Sequence, residues 1–142
     1  MARVVVMGSA GTSTSIIGAA VAARLRAPYV DGADLWPRPR RGGLRRARTA
    51  PQPARSDHEL WFDALCRALT QGAVVTTAAL TRSGRDSVRH AVPETLFVEI
   101  VPDAGADGAR EPLTQDERGV RVADDVDLPA VVDRIVDLLG AG

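Results

Sequence analysis

Short apolar, β-branched runs alternate along the chain with longer stretches whose apolar residues recur at helical spacing. Arg3 to Met7 (RVVVM) is the first such run, and it ends at the small-residue cluster Gly8 to Ser15 (GSAGTSTS). Beyond it Ile17, Val21 and Leu25 recur with a helical period, so the opening reads as strand, tight loop, helix. Pro28 to Val30 predicts a second strand, and the turn-rich DGADLWP after it sets Asp31 and Asp34 just past that strand's carboxyl end. Ser56, with Glu59 three residues on, predicts a capped helix whose buried stripe is Leu60, Trp61, Ala64, Leu65, Ala68 and Leu69, ending near Gly72. Ala73 to Leu80 reads as a strand, Arg82 to Ala91 as a polar helix and Thr95 to Val101 as a strand. Val120 to Ala123 is a short last strand, and Leu128 to Leu139 an amphipathic helix with Val131, Val132, Ile135, Leu138 and Leu139 inward.

Strands that read as near-continuous apolar runs and alternate with helices imply a parallel sheet covered on both faces. The expected architecture is doubly wound α/β, five parallel strands with Arg3 to Met7 in the centre. Such sheets bind ligands beyond the carboxyl ends of their strands, and that edge collects Gly8 to Ser15, Asp31 with Asp34, and Thr81 to Arg85.

With 142 residues and 45% hydrophobic content, one domain spanning 1–142 is expected. No apolar run approaches the roughly 20 residues that cross a bilayer, and no secretory pattern precedes the first strand, so a cytoplasmic protein with no membrane partner is expected. Formal net charge is zero, which argues against bulk attraction to nucleic acid. The eighteen basic residues are all arginine, and seven of them fall at 38–55 among glycine and proline, where a long mobile loop is expected. No lysine-dependent chemistry is available. Cys66 lies within an apolar helical pattern and reads as a structural thiol, while His58 and His90 lack metal-ligand spacing and read as surface residues.

A glycine-rich turn from a first strand into a first helix can wrap backbone N–H groups around phosphate. The phosphate-loop pattern Gly-x-x-x-x-Gly-Lys-Ser/Thr supplies a lysine to the outer phosphates and a hydroxyl to magnesium. Here Gly8 and Ser15 are in register, but Ser13 replaces the second glycine and Thr14 the lysine. Gly8, Gly11, Thr12, Ser13, Thr14 and Ser15 are the candidate cofactor-binding residues, the alternative being a serine-rich turn with no ligand.

The order MGSAGTSTSIIGAAVAARLRAPYVDGADLWP resembles the opening of bacterial gluconate kinases, which pass from a phosphate loop to a DGDDLHP segment. DHELWFDAL is similar to that family's D-x-D-R-x-x-W-L-x-x-L helix, and VVTTAALTRSGRDSVRHAVP to its ACSALKRxYRDxLR strand and helix. LFVEI and VDLPAVVDRIVDLL also fit, and shikimate kinase resembles the start more distantly. The resemblance implies the P-loop nucleoside triphosphate hydrolase fold, ATP and Mg as cofactors, and a nucleotide and a small sugar acid as ligands. It further implies Asp31 and Asp34 as the catalytic pair, one at the acceptor hydroxyl and the other helping to hold magnesium, with Ser15 and Asp34 at the metal; the alternative is a turn-forming Asp-Gly with a helix-capping Asp. Departures are specific: Thr14 and Thr81 stand for lysines, Gly84 for a tyrosine, Ala33 for an aspartate and Trp36 for a histidine. His58 stands near an arginine's place, in a region where the arginine-rich run replaces the family's acceptor segment. The connection at 102–118 is too short for the family's arginine-bearing lid. Arg82 and Arg85, at the head of a helix, are the candidates to replace the lost lysine, or else solvated surface charges. The expected function is therefore ATP-dependent phosphorylation of D-gluconate to 6-phosphogluconate, weak or lost. The alternatives are a regulatory nucleotide- or anion-binding module, or an interaction protein that uses the arginine-rich loop. A homodimer is left open.

Overall fold

The computed structural model describes residues 2–8, 13–37, 56–102, 111–123 and 127–140. Its elements are β1 (Arg3–Gly8), α1 (Thr14–Leu25), β2 (Tyr29–Asp31), a 3-10 turn (Gly32–Leu35), α2 (Asp57–Thr70), β3 (Ala73–Thr77), α3 (Arg82–Ala91), β4 (Leu96–Val101), β5 (Gly119–Ala123) and α4 (Leu128–Gly140). The five strands form one parallel sheet in the order β2-β3-β1-β4-β5. The arginine-rich stretch at 38–55 lies outside the described residues, as does 103–110 of the shortened connection.

β1 is central because its side chains are apolar in both directions. Val4 and Val6 point to one core layer with Val98, Ile17, Val21 and Ile135, and Val5 and Met7 to the other with Phe97, Trp61, Leu65 and Val88. A strand buried on both faces and paired on both edges cannot tolerate a polar face, which is why the run VVVM lacks alternation. α1 and α4 cover the first layer, α2 and α3 the second. Among the described residues no helix is long and apolar enough to cross a membrane.

Local chemistry fixes the element ends. Ser56 Oγ accepts the Glu59 N–H at 3.1 Å and Thr81 Oγ1 accepts the Gly84 N–H at 3.0 Å, capping α2 and α3. The Thr81 cap is also why β3 stops at Thr77, short of the expected Leu80: the chain must leave the sheet to start α3. Two expected core positions face solvent, Leu60 at 39% exposure and Leu138 at 37%. Leu60 sits one helical step beside the true stripe of α2, which is Trp61, Leu65 and Leu69, whereas Leu138 is in line with Val131, Val132 and Ile135 but lies in the last turn of α4, past the buried part of that helix.

α1 approaches β3 closely because Gly18 faces Thr76. A Cβ on Gly18 would lie 2.2 Å from the Thr76 methyl carbon, a buried β-branched side chain with no room to swing away. Gly18→Ala is therefore expected to lower unfolding free energy by roughly 1–3 kcal/mol in urea denaturation. An unchanged midpoint would show that the helix can lift without loss.

Candidate functional site

β1 ends at the buried Gly8, and after residues 9–12, which lie outside the described residues, the chain enters α1 at Thr14 with Ser13 in the N-cap position. The first turn of α1 contains no acidic residue of its own, and the positive partial charge of a helix N-terminus suits an anion. This end of α1 opens into a cavity of about 530 Å³ at the carboxyl edge of the sheet. Gly8, Thr14 and Ser15 line one side of it, and Asp31, Gly32 and Ala33, at the end of β2, line another. Thr76 and Thr77, at the end of β3, and Ala78, Ala79 and Leu80 beyond it supply the floor.

Of the candidates read from the sequence, the fold brings Gly8, Thr14, Ser15 and Asp31 to this one cavity. Gly11 and Thr12 lie outside the described residues. Asp31 Oδ1 accepts the Ala33 N–H at 3.0 Å, which limits rotation of its carboxylate and starts the 3-10 turn. Asp34 sits on the exposed side of that turn and does not line the cavity.

The arginines of α3 are held elsewhere. Arg85 is fully buried, and its five N–H groups meet five acceptors: both Glu117 oxygens at 2.7 and 2.8 Å, and the carbonyls of Leu80, Glu111 and Pro112. It is neither a solvated charge nor a phosphate ligand in this arrangement; it anchors the segment before β5. Arg82 bonds Asp116 at 2.9 Å, Thr114 at 2.9 Å and Asp86 at 3.1 Å. Those hydrogen bonds, Asp116 first and then Asp86, push its pKa above the usual guanidinium range. Arg89 adds a bond to Glu117 at 2.7 Å and lies 4.6 Å from the Phe97 ring centroid. Burial pushes the Glu117 carboxyl up, but hydrogen bonds from Arg85, the Thr114 N–H and Arg89 outweigh it and hold the group well below the usual carboxylate range. Glu99, also buried, accepts the Leu113 N–H and Arg121 Nε, fastening the same segment from the sheet side. Residues 111–118 are thus tied down by two buried carboxylates.

Three residues at the site carried no functional expectation. Trp36 stacks on Trp61 with ring centroids 5.1 Å apart and planes 18° apart, and His58 packs against both at 6.1 and 6.0 Å. All three line the cavity beside Asp31. His58 is exposed, as expected for a surface residue, yet its ring belongs to this cluster. Trp61 is oriented by its buried indole N–H, which donates to the Gly32 carbonyl at 2.7 Å. A large aromatic two residues past Asp34, at the end of the acidic turn, was the available signal. Cys66 is half-buried, and burial, then the nearby Asp63, raises its thiol pKa, so it is a poor nucleophile.

Neither a protein-family model nor a curated protein matches this chain. Solved structures do. A gluconokinase from Sinorhizobium meliloti 1021 superposes with a TM-score of 0.68 at 21% identity, over 99% of this chain and 92% of that one. A sugar kinase from Janibacter sp. HTCC2649 gives 0.69 at 21% identity, over 99% and 95%. An APS kinase from Mycobacterium tuberculosis, in complex with AMPPNP and APS, gives 0.62 at 16% identity, over 98% of each chain. The chain has the P-loop kinase fold of these proteins.

The buried ion network makes a pH-dependent contribution whose sign follows from Glu117. Its folded pKa lies below the ordinary value of 4.5, so its stabilisation is complete above that pH and is lost as pH falls below it. Arg85→Ala, which breaks a buried pair, is expected to cost about 3–5 kcal/mol, and Arg82→Ala, at a solvent-screened surface pair, much less. Glu117→Gln should melt lower than wild type near neutral pH, and its melting temperature should fall less between about pH 5 and pH 3. Parallel acid slopes in the two proteins would remove Glu117 as the titrating group.

Proposed function

We propose that this chain is a small-molecule kinase of the gluconokinase type whose turnover is far below that of a complete site. The observation that carries the reading is one cavity, at the carboxyl edge of a P-loop kinase fold, flanked by the N-terminus of α1 and by Asp31. The fit of nucleotide to these residues is that of an anion cradle: Gly8 at the strand end and an α1 first turn without acidic residues suit phosphate, and Ser15 offers the hydroxyl expected at magnesium. When bound, ATP with magnesium supplies the phosphoryl group and part of the charge neutralisation. The chain's own part is to hold phosphates at 8–15 and to orient the acceptor hydroxyl at Asp31. Asp34, outside the cavity lining, is assigned only to the turn.

Phosphoryl transfer depends on positive charge around the phosphates, where one well-placed arginine is worth on the order of 10³ or more in rate. Thr14 replaces the lysine, and Arg82 and Arg85 are engaged with Asp116, Asp86 and Glu117. Nucleotide binding without appreciable turnover is thus a second reading supported by the same first turn of α1: an anion is attracted there whether or not transfer follows.

Purified protein with ATP, magnesium and D-gluconate is expected to form 6-phosphogluconate at a rate hardly above background, while AMPPNP raises its melting temperature. Ser13→Gly with Thr14→Lys should strengthen nucleotide binding because Gly8 and Ser15 are already in register, without restoring full turnover. Ordinary turnover by the unmodified protein would overturn the attenuated reading. Absence of any AMPPNP shift, in the wild type and in the double variant, would overturn both.

A further inference from the structure

The acceptor side of the cavity has a feature that neither phosphate binding nor folding requires. Trp61, at 4% exposure, is a core residue of α2, but Trp36 lies on it at 43% exposure, so the outer surface of the stacked pair is an indole facing the cleft. The inner ring is locked by the Trp61 N–H bond to the Gly32 carbonyl, and His58 supports the pair from the side. The Gly32 end of that bond is equally constrained, since a Cβ there would lie 2.5 Å from the Thr76 carbonyl oxygen. The ledge is therefore an aromatic surface seated on a fixed inner ring, lining the same cavity as Asp31 and Thr77.

We propose that this ledge selects the acceptor, and that the acceptor is an uncharged, hydroxylated ring of the pyranoside class instead of an open-chain sugar acid. The proposal rests on the reading of this cleft as the acceptor half of a phosphotransfer site. A pyranose has an apolar C–H face that covers an indole and equatorial hydroxyls at its rim, which is the pairing of aromatic surface with a few polar groups that orients a ligand in a pocket. An extended polyhydroxy acid has no such face. Asp31, the one carboxylate on the cavity wall among the described residues, accepts hydrogen bonds from a hydroxylated ring and repels a carboxylate. Beyond His58, Trp61, Ala79 and Leu80 a second cavity of about 570 Å³ opens between α2 and α3, with Phe62 and Ser87 on its walls. A ring stacked on Trp36 thus has space for a substituent on that side.

The chain's two tryptophans are the two members of the ledge, so intrinsic fluorescence reports on it directly. The full chain, without nucleotide, is titrated with methyl β-D-glucopyranoside, with D-gluconate and with adenosine. The expected result is a saturable emission change with the glucoside, half-complete at a concentration at least about tenfold below that for D-gluconate. Trp36→Ala should raise the glucoside midpoint about tenfold, with Trp61 still reporting, whereas Trp36→Phe should keep it within about threefold. Circular dichroism and melting temperature of each variant verify its fold, and a Trp36→Ala protein that fails to fold leaves Trp36→Phe and the three wild-type titrations to decide. Tighter binding of D-gluconate, no saturable response to the glucoside, or a Trp36→Ala variant that binds the glucoside as wild type does would each overturn the proposal. So would an adenosine response displaced by AMPPNP, which would assign the ledge to the nucleotide. These titrations do not depend on phosphotransfer. A glucoside response without an AMPPNP shift would therefore retain the ledge and sink the kinase reading, and the reverse pattern would do the opposite.

Discussion

Burial of β1 on both faces and both edges is the constraint from which the rest of the arrangement follows. A strand of Val4, Val5, Val6 and Met7, none of them exposed, can sit only in the centre of a sheet with helices above and below. Parallel neighbours then need crossover helices, and the crossovers place every strand's carboxyl end on one edge. The change of direction in strand order, with β3 on one side of β1 and β4 on the other, leaves a crevice at the end of β1 itself. Gly8 and the start of α1 occupy that crevice. The candidate site is thus located by hydrophobic packing before any polar residue is considered.

Packing then decides what the polar residues can do. Arg85 and Glu117 are each nearly inaccessible to water, and two buried charges of opposite sign persist only with their hydrogen bonds satisfied. The guanidinium achieves this by taking three carbonyls besides the carboxylate, and so fixes the path of 111–118 across α3. The same geometry keeps Arg85 away from the cavity at the start of α1. A charge used to fasten a segment cannot also swing to an incoming anion without leaving Glu117 buried with one partner fewer, a loss that phosphate contact at an open edge would not offset.

The fold was legible in the sequence because its signals are cumulative: VVVM, AVV and LFV are apolar without alternation, and Ser56 caps α2 by a local bond that needs no tertiary information. Errors fell where a decision turned on a single residue. Leu60 lies at the margin of an amphipathic stripe, where one helical step of about 100° separates core from solvent, and Leu138 lies on the stripe of α4 but in its last turn, where the core ends. The site was only half legible. Gly8, Thr14, Ser15 and Asp31 could be placed because strand ends in a parallel sheet converge. The roles of Arg85 and His58 could not, because each depends on a partner far along the chain: Glu117 is 32 residues from Arg85, and Trp36 is 22 from His58.

The tryptophans join the core to the cleft. Trp61 belongs to the core through Leu65 and Leu69 on its helix, and to the site through the Gly32 carbonyl, so its position is set by the folding energy of α2 against the sheet. Trp36 has no such anchor in the sequence pattern; it follows a short 3-10 turn and is ordered by stacking on a ring that is already fixed. An aromatic pair contributes about 0.5–1.5 kcal/mol beyond the area it buries, enough to orient Trp36 but not to hide it. The consequence is a surface whose shape is determined by the core while its open face remains available to a ligand, the condition under which binding does not first have to order the site. In the proposed site, acceptor selectivity and charge neutralisation would therefore rest on different residues held by different forces: stacking on a core tryptophan for the first, the groups around the start of α1 for the second.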